Sequence, residues 1–273
     1  MRLSLASIHV YPIKSLGGFQ VDAAQLTDRG LEHDRRWMLV DTNGCFISQR
    51  EIPVMACLHC SPLSNGSRVT DVRDGTSIDL PWTMDRGDTH RVKVWDDDMS
   101  AIAAGTEIGS WFSKKLGLDA TLVFMPEMTE RKVDPRYAEG LTSFSDGFPY
   151  LIVSQTSLVD LNERMAVKER VGMDRFRPNI VIAGGNAYQE DEWKSIVIGD
   201  VPFELVKPCA RCMITTTDQR TGSRGKEPLR TLALYRKSSG AEGAVKVDFA
   251  MNAVGPPRGS IHVGDMVQVL AGH

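Results

Sequence analysis

Short apolar runs of strand length, each closed by a turn signal, recur from one end of this chain to the other. That spacing restricts it to a mainly β architecture. SLASIHVYPI (4–13) alternates apolar and polar positions. WMLVD-TNG-CFIS (37–48) reads as a hairpin about an Asn-Gly-type turn, and SRVTDVRDGTSIDLP as two strands about Asp74-Gly75. HRVKVWDD (90–97) alternates again, TLVFMPEM (121–128) returns to strand, and YLIVSQ (150–155) is apolar throughout. FRPNIVIAGG, KSIVIGDVPFELVKP, MITTTD, KVDFAMNAV and GSIHVGDMVQVL continue the series, the last as a hairpin turning near Gly264-Asp265. Strands this short and this close predict an antiparallel sheet or barrel. Helical spacing is confined to IGSWFSKKLG (108–117, stopped by Gly117), TSLVDLNERMA (capped by Thr156 or Ser157) and LRTLALYRK (229–237). RKVDPRYAEGLTSFSDGFP (131–149) is a polar, turn-rich loop, and loops of that length in compact domains tend to be functional or mobile.

The 273 residues suffice for one large or two modest domains. A net charge of −3 gives no bulk attraction to nucleic acid or to an anionic membrane, though it leaves room for a local basic pocket. The opening MRLSLASIHVYPIKS alternates like a strand and is not a signal peptide. No run approaches the roughly 18 apolar residues of a spanning helix. Five cysteines is few for this length, and reduced thiols in a cytoplasm-like compartment are the simplest expectation.

Two Cys-x-x-Cys pairs, Cys57/Cys60 and Cys209/Cys212, have the residue types of a four-thiolate zinc site. Residues 61–208 separate them, however, and zinc ribbons bring their pairs together within about 20 residues. Cys57 and Cys60, like Cys45, fall in strand-like apolar segments, where cysteine is usually a small buried hydrophobe. The second pair differs. Lys207 and Arg211 flank it, and positive neighbours favour the thiolate, which is both a nucleophile and a soft metal ligand. A thioredoxin-type disulfide fits less well, because the motif leads into the strand-like MITTT. A zinc or thiol-redox role and a ligand role both remain open on these residues alone.

YPIKS (11–15), DRRWMLVD (34–41), SDGFPYLIVS (145–154), FRPNIVIAGG (176–185), KPCARCMITTTDQRTG (207–222) and KEPLRTL (226–232) occur in the order found in MOSC-domain proteins. The chain resembles the group containing the mitochondrial amidoxime reducing component and its bacterial relatives, from about residue 3 to residue 270. The resemblance is to members without the C-terminal iron–sulfur ferredoxin domain that some bacterial relatives carry. It implies an α+β, mainly β fold: a β-rich N-terminal domain (1–120) packed on a MOSC β-barrel (121–271) with peripheral helices and a cofactor in the groove between.

The cofactor implied is the molybdenum cofactor, a metal held by the dithiolene of a phosphate-bearing pterin. The chemistry implied is reduction of N-hydroxylated compounds such as amidoximes, hydroxamic acids and N-hydroxylated bases. Electrons would come from a separate ferredoxin-like or flavin-dependent partner, since the sequence has no flavin motif and no iron–sulfur cysteine set. A non-catalytic cofactor carrier would share the same pocket. By motif position, Cys212 is the metal ligand, and Lys14, Ser15 and Arg35 match the phosphate-binding residues. Asp146, Arg177 and Asn179 face the pterin edge, with Arg177 and Asn179 two apart and so on one face of an extended strand. Gly147 and Ala210 stand where hydroxyl residues are common in the family, leaving their backbone N–H groups, with Arg211, to serve. His33, next to Asp34 and Arg35, is expected to be structural.

Overall fold

In a computed structural model, which describes residues 2–239 and 244–272, the first strand and the second half of the chain close into a barrel. Round the ring, Val267–Gly272 pairs with Trp193–Ile198, followed by Val201–Ala210, Val245–Val254, Tyr150–Ser154, Ile180–Ala183 and Ser4–Val10. The Leu5 N–H shuts the ring by donating to the Asp265 carbonyl at 2.8 Å. The Gly264 and Val267 N–H groups donate back to the Leu5 and Leu3 carbonyls. Only full closure removes exposed strand edges.

The residue pattern explains which strands are covered once and which twice. Val201, Phe203 and Leu205 are buried while Pro202 and Glu204 are exposed, as alternation requires. Tyr150–Ser154 and Ile180–Ala183, the one parallel pair of the ring, are buried on both faces. Ile152, Ile180 and Ile182 fill the barrel. Val153 and Val181 pack outside it, against Phe176, Phe249 and the helices Gln155–Glu163 and Leu229–Tyr235 through Leu161 and Leu232. A bulge between Leu5 and Ser7 resets the first strand, so Leu5, Ile8 and Val10 all reach the core.

The N-terminal region builds a second core. A four-stranded sheet (Trp37–Val40, Thr121–Phe124, Asp97–Ala103, Thr89–Val94) and a three-stranded one (Leu58–Leu63, Gly66–Asp71, Ser77–Pro81) flank it. Trp37, Leu39, Leu58, Val69 and Leu122 pack there with Phe112 of the helix Thr106–Leu116. That helix ends at Gly117 in the left-handed conformation (φ 71°) that glycine adopts freely. The chain is thus mainly β, with 42% of residues in strands and 17% in helices. Hydrogen bonding runs across residue 120, because Thr121–Phe124 pairs with both Trp37–Val40 and Asp97–Ala103. No helix among the described residues is long and apolar enough to cross a membrane.

Local expectations fail at five places. Ser154, one turn earlier than expected, caps the helix Gln155–Glu163: its extended backbone lets its side chain accept from the Ser157 N–H. Met213–Thr216 is a 3₁₀ turn despite its β-branched residues. Thr215 sends both its N–H and its hydroxyl to the Cys212 carbonyl, which draws the chain away from a ladder. Gly259–His262 pairs with Ala23–Thr27 rather than folding back on Val267–Gly272. The 121–128 strand stops at Phe124, and Cys45 is exposed in the turn after Trp37–Val40.

Ile152 is fully buried on a central strand. Ile152→Ala should cost about 2–5 kcal/mol in a chemical-denaturation measurement, with an unchanged m-value.

Candidate functional site

A single cavity, between the barrel rim and the N-terminal region, is lined by all ten residues proposed from sequence: Lys14, Ser15, Arg35, Asp146, Gly147, Arg177, Asn179, Ala210, Arg211 and Cys212. They come from five chain segments that the fold brings together.

The first segment leaves the barrel at Val10. The Lys14 N–H is tied to the Trp37 carbonyl at 2.8 Å, and Ser15 turns left-handed (φ 67°), its carbonyl accepting from the Gln49 amide at 2.7 Å. Arg35 and Arg177 are also left-handed, at φ 49° and 55°. Non-glycine residues rarely adopt this region, and such strain concentrates at functional sites. Arg177 therefore does not share a strand face with Asn179: the strand begins only at Ile180, and the turn at Arg177 aims its side chain. The Arg35 and Arg177 guanidinium groups each lie 4.4 Å from the Tyr11 ring centroid. Asp34, buried and accepting from the Tyr11 N–H, pairs with Arg35 at 2.5 Å, while Arg177 donates to the Leu16 carbonyl. Asn179 is spent within the fold, donating to the His9 carbonyl and accepting from the Leu151 N–H.

The loop 131–149 has no regular element, yet much of it is buried and held. Arg131 gathers it, donating to the Ser143, Ser145 and Asp146 carbonyls and to the Asp97 carboxylate. This delivers Asp146 to Lys14 at 2.6 Å, while Lys14 also donates to the Phe144 carbonyl. Burial lowers the Lys14 pKa to about 8, against the help of Asp146 and with the opposition of Arg131 and Arg50. Partial desolvation in the cleft would raise the Asp146 carboxyl, whose side chain stays 60% exposed, but Lys14 and then Arg50 hold it well below the usual carboxylate range.

Both thiols of the 209/212 pair line the cavity, and all five cysteines are free. Cys212 ends the strand Val201–Ala210 region and caps the 3₁₀ turn that follows. Arg211 does not attend Cys212: its guanidinium donates to Cys209 Sγ at 2.9 Å and to the Phe176 carbonyl. The cation beside Cys212 is Arg50, whose pKa is raised because Asp146 and Cys212 outweigh its burial. Arg50 was missed in the sequence. It lies in SQRE, after a turn, with no periodicity or motif to mark it, and only the fold carries it to Asp146 (3.2 Å). Cys57 and Cys60 are buried elsewhere, and burial pushes the Cys60 thiol up to about 12. Among the described residues no cluster of three His, Cys, Asp or Glu side chains is arranged to hold a metal. His33 stacks on Trp82 with centroids 4.2 Å apart, away from the cavity.

Five cationic side chains (Lys14, Arg35, Arg50, Arg177, Arg211) thus face one lining carboxylate, Asp146. Three buried polar atoms on lining residues have no partner in the protein: Arg50 Nη1, Arg211 Nε and Tyr150 Oη. Buried polar groups are nearly always paired, so these atoms mark where a ligand would complete the site. The donor set suits an anionic, hydrogen-bond-rich molecule carrying a thiophilic centre.

Family models match the MOSC N-terminal beta barrel domain at residues 2–119 and the MOSC domain at residues 139–268. The chain is 33% identical to mitochondrial amidoxime-reducing component 1 of Mus musculus, over 98% of this chain and 82% of that protein. It is 32% identical to molybdenum cofactor sulfurase of Arabidopsis thaliana, over 86% of this chain and 32% of that protein. The solved YuaD protein from Bacillus subtilis is 12% identical with a TM-score of 0.44, over 98% of this chain and 94% of that one.

The Lys14 ammonium is present below its pKa of about 8 and lost above it. Affinity of the cavity for sulfate, whose own charge is constant in this range, should therefore fall about tenfold between roughly pH 7 and 9. Lys14→Arg should remove that dependence in a calorimetric titration.

Proposed function

The chain belongs to the MOSC-domain family of the amidoxime-reducing components, and from that premise we propose that it is a molybdenum-cofactor-dependent oxidoreductase of N-hydroxylated compounds. The observation that carries this reading is the cavity itself. A protein of net charge −3 gathers five cations there around one carboxylate, with a half-buried thiol in the wall and three polar atoms unpaired.

Cys212 is the residue to ligate molybdenum, and Arg50 beside it offers compensating charge to the thiolate. Lys14, Ser15 and Arg35 are the groups to hold the phosphate, with Lys14 and Arg35 already aimed by Asp146 and Asp34. Asp146, which keeps its charge at neutral pH, can accept from pterin N–H groups. Arg177, Asn179 and the backbone at Gly147, Ala210 and Arg211 line the rest. When bound, the cofactor would supply the two electrons that reduce the substrate N–O group. The protein fixes the thiolate, neutralises the phosphate and holds both in one cleft. The electrons would be delivered by a separate ferredoxin-like or flavin-dependent partner, in a reducing, cytoplasm-like compartment that suits five free thiols.

Elemental analysis and a pterin fluorescence assay on freshly purified variants test this. Cys212→Ala should fold but retain little molybdenum and no amidoxime reduction, whereas Cys209→Ala should keep most of both. Equal loss in the two variants points to a thiol-pair or zinc role instead, and cofactor retention without any reductase activity in the parent points to a carrier.

Replacing Lys14 and Arg35 together by Ala removes two charge-assisted contacts, each contributing about 1.5–3 kcal/mol. Cofactor affinity should drop by at least about a hundredfold with the circular-dichroism melt retained. Full occupancy in the double variant refutes the phosphate assignment.

A further inference from the structure

Trp95 occupies a backbone conformation that its side chain makes costly. Val94 pairs with Asp97, so Trp95 and Asp96 form the two-residue turn joining Thr89–Val94 to Asp97–Ala103. Trp95 has φ 56°. Hairpin turns of this length normally place Gly, Asn or Asp there, and a bulky residue is an outlier. Burial does not account for the choice, because Trp95 stays 44% exposed.

The indole is nevertheless aimed. It meets Phe46 edge-on at 5.0 Å between centroids, and the Arg50 guanidinium lies 4.5 Å from its centre. Arg50 continues to Asp146 and faces Cys212. Trp95 lines a groove that shares Asp146, Gly147 and Phe148 with the candidate site. At the shared edge, a Cβ on Gly147 would meet no atom within 4 Å, so no side chain or backbone walls that point. An exposed, electron-rich ring in a strained turn, on a groove that adjoins the site, is a surface for a flat partner.

We propose that Trp95 is a specificity-determining platform, on which the aromatic ring of an aryl amidoxime stacks while its N–O group reaches toward the Cys212 wall. The amidoxime identity rests on the function proposed above; the stacking does not. A planar π-faced body gains from the indole, and a small aliphatic one gains little. Trp95→Gly suits the turn better than the native residue, so a loss of binding in that variant is not a loss of fold.

The test uses cofactor-loaded protein with benzamidoxime and acetamidoxime. In Trp95→Gly the ratio of kcat/KM for benzamidoxime over acetamidoxime should fall about tenfold, mainly through KM, and Trp95→Phe should restore most of it. An unchanged ratio, as when Trp95 acts only by supporting Arg50, overturns the proposal. In parallel, benzamidoxime is titrated directly by ligand-observed NMR. A Kd about tenfold weaker in Trp95→Gly supports the platform even where neither amidoxime is reduced, a result that would defeat the reductase reading alone. Equal Kd in parent and variant, or no binding to the parent, overturns the platform whatever the activity.

Discussion

A buried ammonium needs a counter-charge, and Lys14 has one in Asp146 at 2.6 Å. That contact joins the first fifteen residues to the loop before the strand Tyr150–Ser154, across 132 positions of sequence. It depends on Arg131, which threads the loop through four acceptors, and it extends to Arg50, which binds the other carboxylate oxygen. Remove the Asp146 carboxylate and two cations, Lys14 and Arg50, lose their common anchor. The walls of the cavity are therefore electrostatically interdependent, although they belong to separate cores.

The network is incomplete by design of its charges. One carboxylate at the lining cannot balance five cations, and Asp34 behind it pairs directly with Arg35. Burial, and then the neighbouring Arg35, lowers the Arg177 pKa to about 10, and the same two causes lower His9 behind the cavity to about 4. Holding charges this way costs desolvation that one carboxylate does not recover. An anionic ligand recovers it, and because the donors are already oriented, little reorganisation remains when it binds.

Much of this was legible in the sequence because motif and pattern act locally. Alternation marked Ser4–Val10 and Thr89–Val94, and the apolar runs at 150 and 180 marked strands that turn out to be covered on both faces. The ten residues singled out by resemblance lie in separate stretches of sequence, and the fold places all of them on one cavity. What escaped was set by contacts distant in sequence. The 3₁₀ turn at Met213–Thr216 overrides the strand preference of Ile and Thr, since a side-chain hydroxyl competes for the Cys212 carbonyl. Arg211 stands next to Cys212 in sequence and beside Cys209 in space, while Arg50 does the reverse.

That exchange of partners separates two thiols that the sequence presents as a pair. The Cys209 sulfur accepts from a guanidinium already committed to the Phe176 carbonyl, so it is fixed to the rim of the strand it belongs to. Cys212 faces the Arg50 guanidinium, and Arg50 (Nη1) and Arg211 (Nε) each keep one buried nitrogen unpaired. Its loop is braced from the other core: Gln219 and Gln49 exchange amide hydrogen bonds, His59 contacts the Gln219 carbonyl, and Arg224 donates to the Gln49 and Arg50 carbonyls. The same short segment, residues 48–50, therefore aims the cation and steadies the loop that carries the thiol. Of the two sulfurs, Cys212 is the one whose loop is supported from both sides of the cleft.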